Sequence, residues 1–105
     1  MSLESHVSAA EVFWKTGETA KAVECAETAL TCNPTSEQQI SLRIFIARAE
    51  SKLGNFEQSN NILRALIDEK VYLPPVILTL FYNNLKMNKM EKSLKNINLM
   101  KLFLG

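Results

Sequence analysis

Three stretches of this chain can be laid over one another: KTGETAKAVECAETAL from Lys15, KLGNFEQSNNILRALI from Lys52 and KMNKMEKSLKNINLMK from Lys86. Each opens on Lys, sets a turn residue two positions later (Gly17, Gly54, Asn88) and a small residue seven positions after the Lys (Ala22, Ser59, Ser93). The turn residues stand at 17, 54 and 88, so they are 37 and 34 positions apart. A unit of that length is one supersecondary element that cannot bury its own apolar face, so successive units must stack on each other. This excludes most architectures before composition is considered.

The local pattern is helical. Three Gly and three Pro in 105 residues are too few for an all-β chain, which needs turn signals about every 8–12 positions. The run Thr35-Ser36-Glu37-Gln38-Gln39 sets Thr or Ser three residues ahead of Gln, the signature of a capping box. Beyond it Ile40, Ile44, Ala47 and Ser51 fall on one side of a helix, with Leu42, Phe45, Ile46 and Ala49 alongside. Gly54 suits a left-handed position after a helix end, and Pro74-Pro75 suit a first turn. The spacing predicts helices over 3–16, 18–32, 36–53, 55–69, 74–87 and 89–103.

The stretch GETAKAVECAETALTCNPTS, with Gly17 at the turn, Ala22 and Ala29 at close-packing positions and Pro34 closing the unit, is similar to the second half of the tetratricopeptide repeat. The second unit keeps Gly54, Phe56, Ser59 and Leu66, but its first helix is longer by three residues. The third departs further, with Asn88 for Gly, Met90 for the aromatic and Phe81 where the family prefers a small residue. The resemblance spans nearly the whole chain. It implies one all-α domain, 1–105, of three antiparallel helix-turn-helix repeats, near 3–34, 36–70 and 74–105, stacked into a short right-handed superhelix. It also implies a concave face lined by the first helix of each pair: Val7, Glu11, Trp14 and Lys15, then Ile44, Arg48, Ser51 and Lys52, then Leu78, Tyr82, Leu85 and Lys86. Trp, Tyr and Arg dominate binding energy at many interfaces, and apolar anchors beside charges suit an amphipathic helix or an extended peptide. Trp14 precedes a turn, and both a core and a groove position remain open for it.

Catalysis is not expected. The one histidine, His6, has no Ser or Cys partner at a recognisable spacing, and the glycines Gly17, Gly54 and Gly105 form no phosphate-cradling loop. Two cysteines and no CxxC make no structural zinc site, and no cofactor or metal is expected. Cys25 and Cys32 lie seven apart on a helix, about 10.5 Å of rise, beyond the roughly 7 Å a disulfide spans. They read as buried small apolar residues. With no run of about 18 apolar residues and no signal-like N-terminus in MSLESHVSAAEVFW, the reading is a chain without a membrane span, working in the cytoplasm or nucleus.

Net charge is +1, which argues against a nucleic-acid footprint, but the charge is unevenly distributed. Residues 1–40 carry Glu4, Glu11, Glu18, Glu24, Glu27 and Glu37 against Lys15 and Lys21; residues 71–105 carry Glu91 against Lys86, Lys89, Lys92, Lys95 and Lys101. The C-terminal segment NINLMKLFLG is apolar at Ile97, Leu99, Met100, Leu102, Phe103 and Leu104. A patch of that kind predicts packing against a second copy or an obligate partner, centred on Ile97, Met100, Phe103 and Leu104, with a fold-back onto the third repeat as the competitor.

The reading is therefore a protein-binding scaffold. Tetratricopeptide proteins that clamp chaperone tails do so with Lys, Asn and Arg; the corresponding positions here fall near Val7, Glu11, Phe45, Pro75 and Thr79, and none supplies that chemistry. In size the chain resembles the three-repeat chaperones of bacterial type III secretion, which implies an alternative role shielding an assembly subunit. Through IDEKVYLPPVILTLFY it resembles the soluble part of the tail-anchored peroxin that recruits ATPases to peroxisomes, although no tail anchor is present. A helical nucleic-acid binder using the C-terminal lysines is the rival class.

Overall fold

The computed structural model describes the backbone of residues 2–104 and the side chains of residues 2–89 and 91. Among these residues the chain is all-helical: α1 (Leu3–Lys15), α2 (Thr19–Leu30), α3 (Ser36–Lys52), α4 (Phe56–Asp68) and α5 (Pro74–Leu104). Each helix packs on the next in sequence, and α3 also touches α5, giving a slab of 59 × 31 × 19 Å.

Local chemistry accounts for the boundaries. Ser2 caps α1 by accepting from the Ser5 N–H. Of the two capping pairs the sequence offers for α3, the structure uses Thr35 and Gln38: Gln38 N–H donates to Thr35 Oγ1 at 3.2 Å and Thr35 N–H donates to Gln38 Oε1 at 2.9 Å. The two short turns are the same turn. Gly17 and Gly54 both sit at φ +86°, and the residue after each closes a bond five residues back, Glu18 N–H to Phe13 O and Asn55 N–H to Glu50 O. That is a Schellman ending, which needs a left-handed residue and so favours Gly. Helix α5 starts without a polar cap, because Pro74 and Pro75 lack the first-turn N–H groups that would need one.

The third unit does not turn. The predicted helices 74–87 and 89–103 are one helix of 31 residues running through Asn88. Asn fits a left-handed turn less readily than Gly and costs a helix interior only about 0.7 kcal/mol relative to Ala. Its neighbours Lys86, Met87, Lys89 and Met90 are good helix formers, so continuation wins.

The core has two clusters built from small and medium side chains. Ala10, Val23, Ala26 and Ala29 join α1 to α2 and meet Leu42, Ile46 and Ala49 of α3. Ile44 and Ala47 meet Leu63, Leu66 and Val76. Alanines along the first hairpin let the helices approach closely but release little apolar area. Cys25 and Cys32 are free thiols, half-buried.

Beside the second cluster, a polar network is also buried between α3, α4 and α5. Ser51 Oγ donates to Asn83 Oδ1 at 2.6 Å, and Asn83 Nδ2 donates to Ser59 Oγ and to Asn60 Oδ1, both at 2.8 Å. Ser59 Oγ donates in turn to the Ala47 carbonyl at 2.7 Å, and Asn60 Nδ2 to Asn84 Oδ1 at 3.1 Å. Asn83 and Ser59 are wholly buried, and no buried side-chain N or O among the described residues lacks a partner. Outside the core, Arg43 of α3 donates from Nη1 and Nη2 to the two carboxylate oxygens of Glu69 at the end of α4, at 3.0 and 2.6 Å. These hydrogen bonds, aided by the guanidinium charge, hold the Glu69 carboxyl below its ordinary range.

Asn83→Ala strands Ser51 and Asn60 in a buried site and is expected to cost about 2–4 kcal/mol in urea unfolding, against under about 1 kcal/mol for an exposed control such as Asn61→Ala. Glu69 is the lowered-pKa case, so its contribution is complete above about pH 4.3 and is lost as pH falls through the folded-state value. The urea midpoint of Glu69→Gln, followed downward from about pH 6, is expected to fall less steeply than that of the wild type.

Candidate functional site

Helices α1 and α3 stand apart, bridged by side chains alone. The Trp14 and Phe45 rings meet at 5.4 Å between centroids, and the Lys52 ammonium lies 4.7 Å from the Trp14 ring centre. Alongside them runs a groove of about 550 Å³ with an apolar floor that includes Leu3, Val7, Leu42 and Phe45. A second groove of about 380 Å³ lies between α3 and α5, lined by Arg48, Ser51, Pro74, Pro75, Leu78, Thr79 and Tyr82. Both open on the same side of α3. Glu37, Ser41, Phe45, Arg48 and Lys52 recur at steps of three and four, the period of one helix face.

Half of the twelve positions assigned from sequence to the concave face line these grooves. Val7 and Glu11 line the first, and Arg48, Ser51, Leu78 and Tyr82 line the second. Trp14 is half-buried: its ring packs on Phe45 and on the edge of the first core cluster, while Lys52 reaches it from solvent. Tyr82 stands edge-on to Phe56 of α4 at 6.4 Å, and Lys86 reaches over the same ring at 5.5 Å. Leu85 is exposed, about one turn beyond Phe81 and Tyr82 on α5.

Ile44 corrects the sequence reading. It is 8% exposed and packs on Ala47, Leu63, Leu66 and Val76, on the side of α3 turned to α4 and α5. Ser51 is likewise buried, its hydroxyl committed to Asn83. The open face of α3 runs through 41, 45, 48 and 52, whereas 44 lies on the neighbouring, buried side and 51 at the boundary, where Ser51 still borders the second groove. Apolar periodicity alone does not separate two adjacent faces of a helix that is apolar over most of its circumference. The patch at Ile97, Met100, Phe103 and Leu104 lies outside the side chains described.

Sequence reasoning missed the extent of the α5 surface. Ile77, Leu78, Phe81, Tyr82 and Leu85 form one exposed stripe, with Leu78 at 66% and Phe81 at 63% exposure. The steps of three and four were visible in the sequence, but an apolar stripe of that kind more often marks a core-facing side. Tyr72 and Leu73, just before the helix, are exposed too. A contiguous apolar surface on a folded chain marks an interaction site more often than a scattered one does.

Comparison of the chain with protein-family models, with curated proteins and with solved structures finds no match. The site stands on its own geometry. Among the described residues no helix is long and apolar enough to cross a membrane, and no three His, Cys, Asp or Glu side chains gather where they could hold a metal ion.

Since Leu78 and Phe81 contribute little to the fold, Leu78→Gln and Phe81→Gln are each expected to shift stability by no more than about 0.5 kcal/mol. Thermal unfolding by circular dichroism measures this, and a loss of about 2 kcal/mol or more would mean that the stripe is covered by the chain itself.

Proposed function

We propose that the chain is a tetratricopeptide-like interaction module, not an enzyme, that holds a helix or extended peptide of a partner protein against α1, α3 and α5 in the cytoplasm. The observation that carries this reading is the exposed stripe Ile77, Leu78, Phe81, Tyr82 and Leu85 beside the Arg48-lined groove. Such a stripe presents aliphatic and aromatic anchors at the spacing that a helix-in-groove contact uses, with Tyr82 in it and Arg48 in the adjoining groove, residue types enriched at binding hot spots. The repeat architecture is supported by the two hairpins that share one Gly turn and by Ala22 and Ser59, both fully buried at equivalent positions.

A second reading has its own support. The segment that resembles the ATPase-recruiting peroxin, IDEKVYLPPVILTLFY, ends in the residues that form the start of this stripe. On that reading the recruited partner is an ATPase at peroxisomes.

Affinity capture with mass spectrometry, comparing wild type with Tyr82→Ala, Arg48→Ala and Leu78→Gln, tests both. A defined protein retained by wild type and lost at least about tenfold in the three variants supports the interaction module. If that protein is an ATPase and comes with peroxisomal proteins, the second reading is the better one. Equal capture by all four chains would mean that the partner face lies elsewhere.

A further inference from the structure

The groove face has opposite charge at its two ends, and the cause is elementary. Helices α1 and α3 run side by side in the same direction: Leu3 and Glu4 from the start of one line the same groove as Glu37 and Gln38 from the start of the other, and Trp14 near the end of one meets Phe45 and Lys52 in the second half of the other. Each follows the usual macrodipole complement, an acid in its first turn (Glu4, Glu37) and a Lys in its last (Lys15, Lys52). Because the two are parallel, these choices add across the face instead of cancelling.

The lining of the first groove holds Glu4, Glu11 and Glu37 and no Lys or Arg. The second is lined by Arg48 and by no acid, and Lys52 and Lys86 extend its basic rim from the rings of Trp14 and Tyr82. All six are exposed. The ion pairs among the described residues, Lys21–Glu18 and Arg43–Glu69, use none of them. From Glu37 to Lys52 the helix rises about 22 Å, well over the Debye length of about 8 Å at physiological ionic strength. A partner laid across both grooves therefore meets two separate fields.

We propose that the occupant of this face is a dipolar amphipathic helix of about 15 residues: apolar on the side against α3, with Lys or Arg over the Glu4–Glu11–Glu37 end and Asp or Glu over the Arg48–Lys52–Lys86 end. This rests on the interaction-module reading and adds to it the charge pattern and orientation of the partner. Rim charges of this kind fix register and direction more than they add affinity, while the apolar floor supplies most of the attraction.

The test uses the full chain and three fluorescein-labelled synthetic peptides of about 18 residues that share one Leu stripe. One carries Lys in one half and Glu in the other, one carries Lys throughout, and one carries Glu throughout. In fluorescence anisotropy the dipolar peptide is expected to bind about tenfold more tightly than either uniform one, and the preference to vanish in about 1 M salt. Combining Glu4→Lys, Glu11→Lys and Glu37→Lys is expected to move the preference to the acidic peptide. Combining Arg48→Glu, Lys52→Glu and Lys86→Glu is expected to move it to the basic one. Circular dichroism checks that each remains helical, and where a triple variant unfolds, Glu37→Lys and Lys52→Glu alone are expected to show the same shift at smaller size.

Equal binding of all three peptides by the wild type would overturn the dipolar occupant and leave the apolar groove standing. No binding by any of them would sink both readings. A dimer in light scattering that persists in both charge-swapped chains and blocks every peptide would assign the face to a second copy and overturn the proposal.

Discussion

The arrangement of α5 depends on one buried side chain, Asn83. Among the described residues α5 contributes only Val76 as a buried apolar side chain, with Leu80 half-buried beside it, so hydrophobic burial by these residues fixes the register only loosely. Asn83 supplies what is missing. It accepts from Ser51 of α3 and donates to Ser59 and Asn60 of α4, joining three helices at one point. Sliding α5 by one turn would set Thr79 or Met87 against these partners, and neither carries both a carbonyl and an amide. The unpaired Ser and Asn groups would then remain in a dry interior, where each costs about 1–3 kcal/mol. In the native register every buried side-chain N and O among the described residues is satisfied, which makes that register specific as well as stable.

The accessible face follows from this. With Asn83 turned inward, Ile77, Leu78, Phe81, Tyr82 and Leu85 stay at the surface, and α5 cannot rotate to bury them without breaking the Asn83 bonds. A second constraint works at the other end of the slab, where Trp14 and Phe45 keep α1 and α3 apart while covering the alanine-rich cluster beneath them. Large rings at the rim and small side chains below leave room for a groove where direct helix contact would have closed it.

The hairpins and most helix starts were legible in residue types. Gly17 and Gly54, spaced with Ala22 and Ser59, encode the two turns because few residues other than Gly accept φ near +86° at low cost. Thr35 with Gln38, and Pro74 with Pro75, mark helix starts by satisfying or removing orphan N–H groups. Asn88 was ambiguous on the same physics: Asn tolerates both the left-handed turn and the helix interior, and the alignment favoured a turn where the helix continues. Groove positions such as Glu11, Arg48 and Tyr82 were accessible through the repeat resemblance, whereas spacing did not distinguish Ile44 from its neighbours Phe45 and Arg48 on the open side.

Sequence by itself therefore determined the all-helical class, the two Gly-turned hairpins and the charge placed at each helix end, because these depend on backbone torsions and on dipoles within a few residues. Tertiary structure alone decided which side of α3 is open, that Asn83 points inward, and that α1 and α3 run parallel so that their terminal charges reinforce one another. Those outcomes depend on side chains distant in sequence meeting in three dimensions, Ser51 with Asn83 above all, and local residue preferences carry no record of such a meeting.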